Sequence, residues 1–168
     1  LGCPVAQYLS TSGFGKITLI DHDVVEETNL QRQILYTSED LGLYKTDVAC
    51  KRLKVLNPDI NIQGYNIRFT NNSIHLMKDV DVIIDATDNF ESRSLINEIS
   101  LLLKKPLVMG AAIKMQGQVA VFRNDLCDMP CYNCLYDDIE DEVSSCIDLG
   151  VLSTLTGMIG SLQATEAI

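Results

Sequence analysis

The chain has 168 residues, 46% of them hydrophobic, which suits one globular domain with a single sizeable core rather than two domains. A formal net charge of −10 without a basic cluster argues against nonspecific binding to nucleic acid or to anionic membranes, since both need Lys and Arg to neutralise phosphate. No apolar run reaches the length of a membrane helix and the first residues lack the layout of a signal peptide, so a cytoplasmic location is expected.

Leu1-Gly2-Cys3-Pro4 reads as a helix start: Pro4 suits the first turn, Val5, Ala6 and Leu9 give an apolar face, and Gly13 can end it. Lys16–Ile20 is short, β-branched and nearly all apolar, the pattern of a strand buried in a parallel sheet, and it stops at Asp21-His22-Asp23. Residues 45–57 form a helix with Val48, Ala49, Leu53 and Leu56 apolar, closed by Asn57-Pro58, and strand Ile60–Tyr65 follows. A weaker helix around 71–78 leads to a second buried strand, Val80–Ile84, which ends at Asp85-Ala86-Thr87-Asp88-Asn89. Helix 90–104 carries Leu95, Ile96, Ile99, Leu102 and Leu103 on one stripe, Pro106–Gly110 reads as a third buried strand, and Gln116–Arg123 is extended. Residues 126–148 lose periodicity and read as a flap or zinc-loop insertion, and a final helix spans about Leu152 to Ile168. Strands alternating with helices imply an α/β fold: a Rossmann-like open sheet, mostly parallel, with helices on both faces and ligands at the carboxyl ends of the strands.

Gly2 at a helix start, followed by Asp21 at the end of the next strand, fits the back half of a dinucleotide fingerprint, in which the acid accepts ribose hydroxyls. The plain alternative is that Asp21 only terminates a strand. Beside it stand Asn29-Leu30-Gln31-Arg32-Gln33, Lys45 at a helix start and Asp88 beyond a strand. Adenylation needs this mixture: cations to hold a triphosphate and offset charge growing on the α-phosphate, and a carboxylate for Mg²⁺. Taken singly, Arg32 and Lys45 also suit solvated surface charges. Six cysteines in a chain of this kind point to thiol or metal chemistry rather than disulfides, and Cys131-x-x-Cys134 matches half of a Cys₄ zinc site.

Asn29–Gln33, Gly42-x-x-Lys45, Leu56-Asn57-Pro58, Asp85–Asn89 and Gly160-Ser161-Leu162-Gln163-Ala164, in this order and across the whole chain, closely resemble the ThiF/MoeB/HesA adenylyltransferases, relatives of the ubiquitin-activating enzymes. The resemblance implies one ThiF-type adenylation domain over 1–168, incomplete at both termini, because the family's chain normally opens with a strand and a Gly-x-Gly-Gly-Leu-Gly loop of which Leu1-Gly2 match the end. It further implies Gly2 in the nucleotide loop, Asp21 at the ATP ribose, Asn29 and Arg32 on ATP, Lys45 on the phosphates and Asp88 on Mg²⁺. The substrate would be the C-terminal Gly-Gly carboxylate of a ubiquitin-like sulfur-carrier protein of thiamine or molybdopterin biosynthesis, with pyrophosphate released and a homodimer as the assembly. Cys131 and Cys134 would be half of a structural zinc site completed by a second Cys-x-x-Cys beyond the final helix, Cys127 fitting less well. Cys146 matches a cysteine that in some members takes part in persulfide or thioester-type chemistry. Two other readings are a nicotinamide-dependent oxidoreductase, from the Gly2–Asp21 pattern, and a non-catalytic scaffold that binds a ubiquitin-like protein.

Overall fold

Pro4 sits in the first turn of helix α1 (Gly2–Thr11), where its missing N–H costs no intrahelical hydrogen bond. The computed structural model describes residues 1–136 and 150–168. Gly13, at φ +87, turns the chain into strand β1 (Lys16–Ile20). A short helix α2 (Glu27–Leu30) and a single turn of 3₁₀ helix at Ser38–Asp40 lead to helix α3 (Lys45–Leu56) and strand β2 (Asn61–Tyr65). β1 and β2 pair in parallel, with Lys16 opposite Asn61 and Ile20 opposite Tyr65. Asn57, central to the Leu-Asn-Pro motif, acts structurally, its Nδ2 donating to the Ser10 carbonyl at 2.7 Å while its Oδ1 accepts from the Asp59 N–H at 3.1 Å. It thereby ties the end of α3 to the end of α1.

The second half holds strand β3 (Ile83–Asp85), helix α4 (Phe90–Leu103), strands β4 (Leu107–Ile113) and β5 (Gln116–Phe122), helix α5 (Tyr132–Tyr136) and helix α6 (Ser153–Ala167). β3 and β4 are parallel, and β5 returns antiparallel to β4 with Leu107 opposite Phe122 and Ile113 opposite Gln116. Asn89 caps α4 by accepting the Ser92 N–H at 2.8 Å, and Lys104, in the left-handed region at φ 51, ends it. Alternation along the strands sends side chains to two faces. Ile83, Leu107 and Met109 join Ile96 and Ile99 of α4 and Tyr132 of α5 in one core, whereas Ile84 lies on the other face with Ile17, Val5 and Leu9 of α1 and Ala164 of α6. A third cluster joins α1, α3 and the Leu35–Tyr36 segment through Cys3, Ala6, Ala49 and Leu53. Helices thus cover both faces, as expected of a Rossmann-like sheet. Among the described residues the strands form two ladders, β1–β2 and β3–β4–β5.

Four elements differ from expectation, one being α5, a helix whose Tyr132 packs in the core where the sequence reads as an aperiodic flap. The strand expected over Val80–Ile84 is confined to Ile83–Asp85, because its ladder begins where the Pro106 carbonyl accepts the Ile83 N–H at 3.0 Å. The helix expected around 71–78 is a 3₁₀ helix, Asn71–Leu76, set by a capping box in which Thr70 and Ser73 satisfy each other's backbone N–H groups. Ile17 to Ile20 are half-buried rather than fully buried, since β1 has one ladder partner among the described residues. No helix among the described residues is long and apolar enough to cross a membrane.

α6 crosses α1 at Gly160, where an added Cβ would lie 2.4 Å from Pro4 Cγ and 2.7 Å from the Leu1 carbonyl oxygen. One turn earlier, a Cβ on Gly157 would meet nothing within 4 Å. Gly160→Ala is therefore expected to destabilise by about 1–3 kcal/mol. Gly157→Ala should be neutral or stabilising by up to about 1 kcal/mol through helix propensity. Urea unfolding of the two variants measures the contrast.

Candidate active site

The carboxyl ends of the strands gather the residues marked out by the sequence. β3 ends at Asp85, which is 1% exposed. Its Oδ1 accepts from the Thr87 N–H at 2.8 Å and the Thr87 hydroxyl at 2.6 Å. Its Oδ2 lies 3.6 Å from Nε of Arg93, an ion pair too long for a hydrogen bond. Burial pushes the Asp85 carboxyl pKa up, and the Arg93 charge and the Thr87 donors pull against that shift. Arg93, in the first turn of α4, also donates to the carbonyls of Thr87 at 2.7 Å and Gly110 at 3.2 Å. From the opposite face, Gln163 of α6 donates to the Asp85 carbonyl at 2.7 Å. The loop 85–89 is thus held by backbone contacts on both sides, and Asp88 within it is exposed, with no hydrogen-bond or ion-pair partner among the described residues. Of the two acids in the motif, Asp85 is committed internally and Asp88 is exposed.

Lys45 opens α3 and is 7% exposed, so the surface-charge alternative does not hold for it. Its Nζ donates to Asp23 Oδ2 at 2.7 Å and its N–H to the Asp23 carbonyl at 3.0 Å. Asp21 directly follows β1, and its Oδ1 accepts from the Asp23 N–H at 2.9 Å. Burial raises the Asp21 pKa, and the Asp23 N–H and the Lys45 charge work against it. Asn29 is buried on α2, with Nδ2 donating to the Thr28 hydroxyl at 3.1 Å. Arg32 is half-buried and donates to the Thr28 carbonyl at 3.0 Å. Gly2 at the start of α1 lies beside the β3 loop, where an added Cβ would make an ordinary contact 3.8 Å from Ala86 Cβ. A cavity of about 230 Å³ beside Arg32 is lined by Pro4, Gln31, Ile34, Ser153, Thr154 and Gly157. A larger one of about 360 Å³ lies away from these residues, between β5 and α6.

Cys131 and Cys134 place their sulfurs 3.6 Å apart. Two thiolates on one tetrahedral zinc, each at about 2.3 Å, would be about 3.8 Å apart, so the pair fits half of such a site. Burial pushes the Cys131 thiol up, but the Cys134 N–H, the Asn97 side chain and the Cys134 thiol together outweigh it and bring the pKa below the ordinary value. The three-ligand grouping found among the described residues is instead Asp21, His22 and Asp23, whose ligand atoms lie within 4.8 Å of one another. Lys45 already occupies the Asp23 carboxylate there. Cys146 and the acidic run 137–142 fall outside the described residues.

Sequence reasoning gives no function to Asp23, Asp85, Arg93 or Gln163. Asp23 and Asp85 stand in the polar strand ends, but nothing in a strand terminus says which acid is buried. Arg93 lies one helical turn beyond the Asn89 cap, a position that faces back toward the loop before the helix. Gln163 shares the buried stripe of α6 with Thr156, Ile159, Gly160 and Ala164, and a polar residue on such a stripe is a readable signal.

The profile of the ThiF family matches residues 1–168. Over its full length the chain is 44% identical to a sulfur carrier protein adenylyltransferase of Thermus thermophilus, of which it covers 64%. It is likewise 42% identical to an adenylyltransferase and sulfurtransferase MOCS3 of Culex quinquefasciatus and 44% identical to a probable molybdopterin-synthase adenylyltransferase of Porphyra purpurea, covering 39% and 44% of them. It therefore spans less than two thirds of each of these relatives. In fold it resembles the crystal structure of E. coli MccB with ATP, with a TM-score of 0.84 at 23% identity over 99% of this chain and 51% of that one.

Arg93→Met would leave the Asp85 carboxylate buried without its cation and is expected to cost roughly 3–5 kcal/mol of stability. Adding Asp85→Asn to that variant removes the charge and should restore most of the loss, as read from urea midpoints of the single and double variants.

Proposed function

The chain belongs to the ThiF family, and on that premise we propose that it activates the C-terminal Gly-Gly carboxylate of a ubiquitin-like sulfur-carrier protein by adenylation. The observations that carry the reading are an exposed carboxylate, Asp88, just past the end of β3, and a buried ammonium, Lys45, held by Asp23 just past the end of β1. A triphosphate carrying a divalent cation needs both signs of charge at once.

In this reading Asp21 accepts ribose hydroxyls with the oxygen not bonded to the Asp23 N–H. Asn29 and Arg32 meet ATP, and Lys45, steered by Asp23, presents its remaining donors to phosphate oxygens. Gly2 lets the start of α1 approach the nucleotide. Asp88 suits Mg²⁺ because a hard cation takes exposed carboxylate oxygen. When bound, the ion neutralises phosphate charge. The carrier's carboxylate oxygen attacks the α-phosphorus, a carboxyl–phosphate bond forms, the bond to the β-phosphate bridging oxygen breaks, and pyrophosphate leaves. A carboxylate is already ionised at neutral pH, so no general base is required and catalysis reduces to positioning and charge stabilisation. A nicotinamide site would have no use for the phosphate-side pair of Lys45 and Arg32. The relatives' names support carriers of molybdopterin type or related sulfur carriers. A homodimer, a cytoplasmic location and a zinc bound through Cys131 and Cys134 complete the proposal.

ATP–pyrophosphate exchange by the full-length protein, with and without a carrier ending in Gly-Gly, tests it. Exchange should require the carrier. Asp88→Asn and Arg32→Ala should each lower it on the order of 10²–10³-fold, the range for removing a group that stabilises developing charge. ATP binding with no exchange for any Gly-Gly carrier would favour the non-catalytic scaffold instead.

A further inference from the structure

We propose that Gln163 is a positioning residue for adenylation, holding the Asp85 carbonyl from α6 so that Asp88 meets the metal–triphosphate at the right place; this rests on the reading of Asp88 given above. Gln163 is 0% exposed and donates through Nε2 to the Asp85 carbonyl at 2.7 Å and, more weakly, toward the Val108 carbonyl at 3.4 Å. Two carbonyls facing the same end of the amide fix its orientation, since the reverse placement would set oxygen against oxygen. Oε1 is consequently left buried without a hydrogen-bond partner among the described residues. The side chain fits only because residue 110 is glycine: an added Cβ there would lie 2.3 Å from Gln163 Cδ and Oε1.

An orphaned buried acceptor is a cost, and an apolar side chain on this stripe of α6 would avoid it. What the glutamine supplies in return is a fixed point on the chain where it leaves the β3 ladder, since Asp85 pairs with Met109 at the last register position. Arg93 fixes the same loop from the α4 face through Thr87 and Gly110. The two contacts grip Asp85 to Thr87 from opposite sides, and Asp88 is the next residue.

The test is Gln163→Met in the full-length protein. Asn57→Ala serves as the control, because it loses a comparable side-chain-to-carbonyl bond, to Ser10, at the far end of α3 from Lys45. Both variants should melt a few degrees below wild type, at about 1 kcal/mol per lost bond. Only Gln163→Met should raise the Mg²⁺ concentration for half-maximal pyrophosphate exchange, by about tenfold, with the rate at saturating Mg²⁺ changed much less. Amide hydrogen exchange over residues 85–89 should also quicken in Gln163→Met and not in the control. An unchanged Mg²⁺ dependence in an active Gln163→Met enzyme overturns the proposal, whatever its melting temperature. Wild-type protein without exchange would defeat the adenylation reading instead; Gln163 is then judged by the loop's hydrogen exchange, and unchanged rates there overturn its positioning role.

Discussion

Asp85 ends a strand inside the core with 1% of its surface exposed, and a carboxylate there must be compensated within the fold. Leaving it alone would cost several kcal/mol, so Thr87 turns back to donate twice and Arg93 reaches across from α4 to bring the charge. Each of these groups has a second obligation. The Thr87 carbonyl and the Gly110 carbonyl accept from the same guanidinium, which links the loop, the helix and the neighbouring strand. The compensation of one buried acid thus gives the loop its shape, and that shape sends the neighbouring acid, Asp88, outward.

The same division of labour recurs on the other side of the site. Asp23 neutralises Lys45 and aims its ammonium, while the Asp23 N–H holds Asp21. A lysine held in a largely dehydrated position by its carboxylate has lost its rotamer entropy before a ligand arrives. Electrostatic preorganisation of this kind is what the proposed adenylation, which uses no protein nucleophile, would need.

Much of the fold is legible because its strands are short apolar runs ended by polar residues, and its helices have one apolar stripe. β1 from Lys16 to Ile20, α3 from Lys45 and α4 from Phe90 begin where the pattern places them. The segment before β3 misleads because Val80 and Val82 look like strand, while pairing depends on where the neighbouring strand starts. In the candidate site, motif and spacing single out residues such as Asp88, which the structure leaves exposed. Those acting through burial are not: Asp85 and Asp88 are chemically identical in sequence, and only tertiary packing separates them. Asn57 shows the reverse error available to motif reading, since a recognisable motif residue serves a helix junction rather than the chemistry.

The β4–β5 hairpin joins its strands through Lys114 and Met115 alone, with Lys114 in the left-handed region at φ 53, whereas β1 meets β2 only across the whole of α3. Closing so short a loop costs little entropy, and hairpins of this kind form within about 1–10 μs, far sooner than a parallel pair with a helical crossover. The hairpin carries Gly110 and Gly117, the two places where Gln163 and Ile159 of α6 seat. By loop closure alone, the receptacle for the last helix is expected to form early, and the parallel strands β1 and β3, which lead to Asp21 and end at Asp85, are expected to be the slower partners.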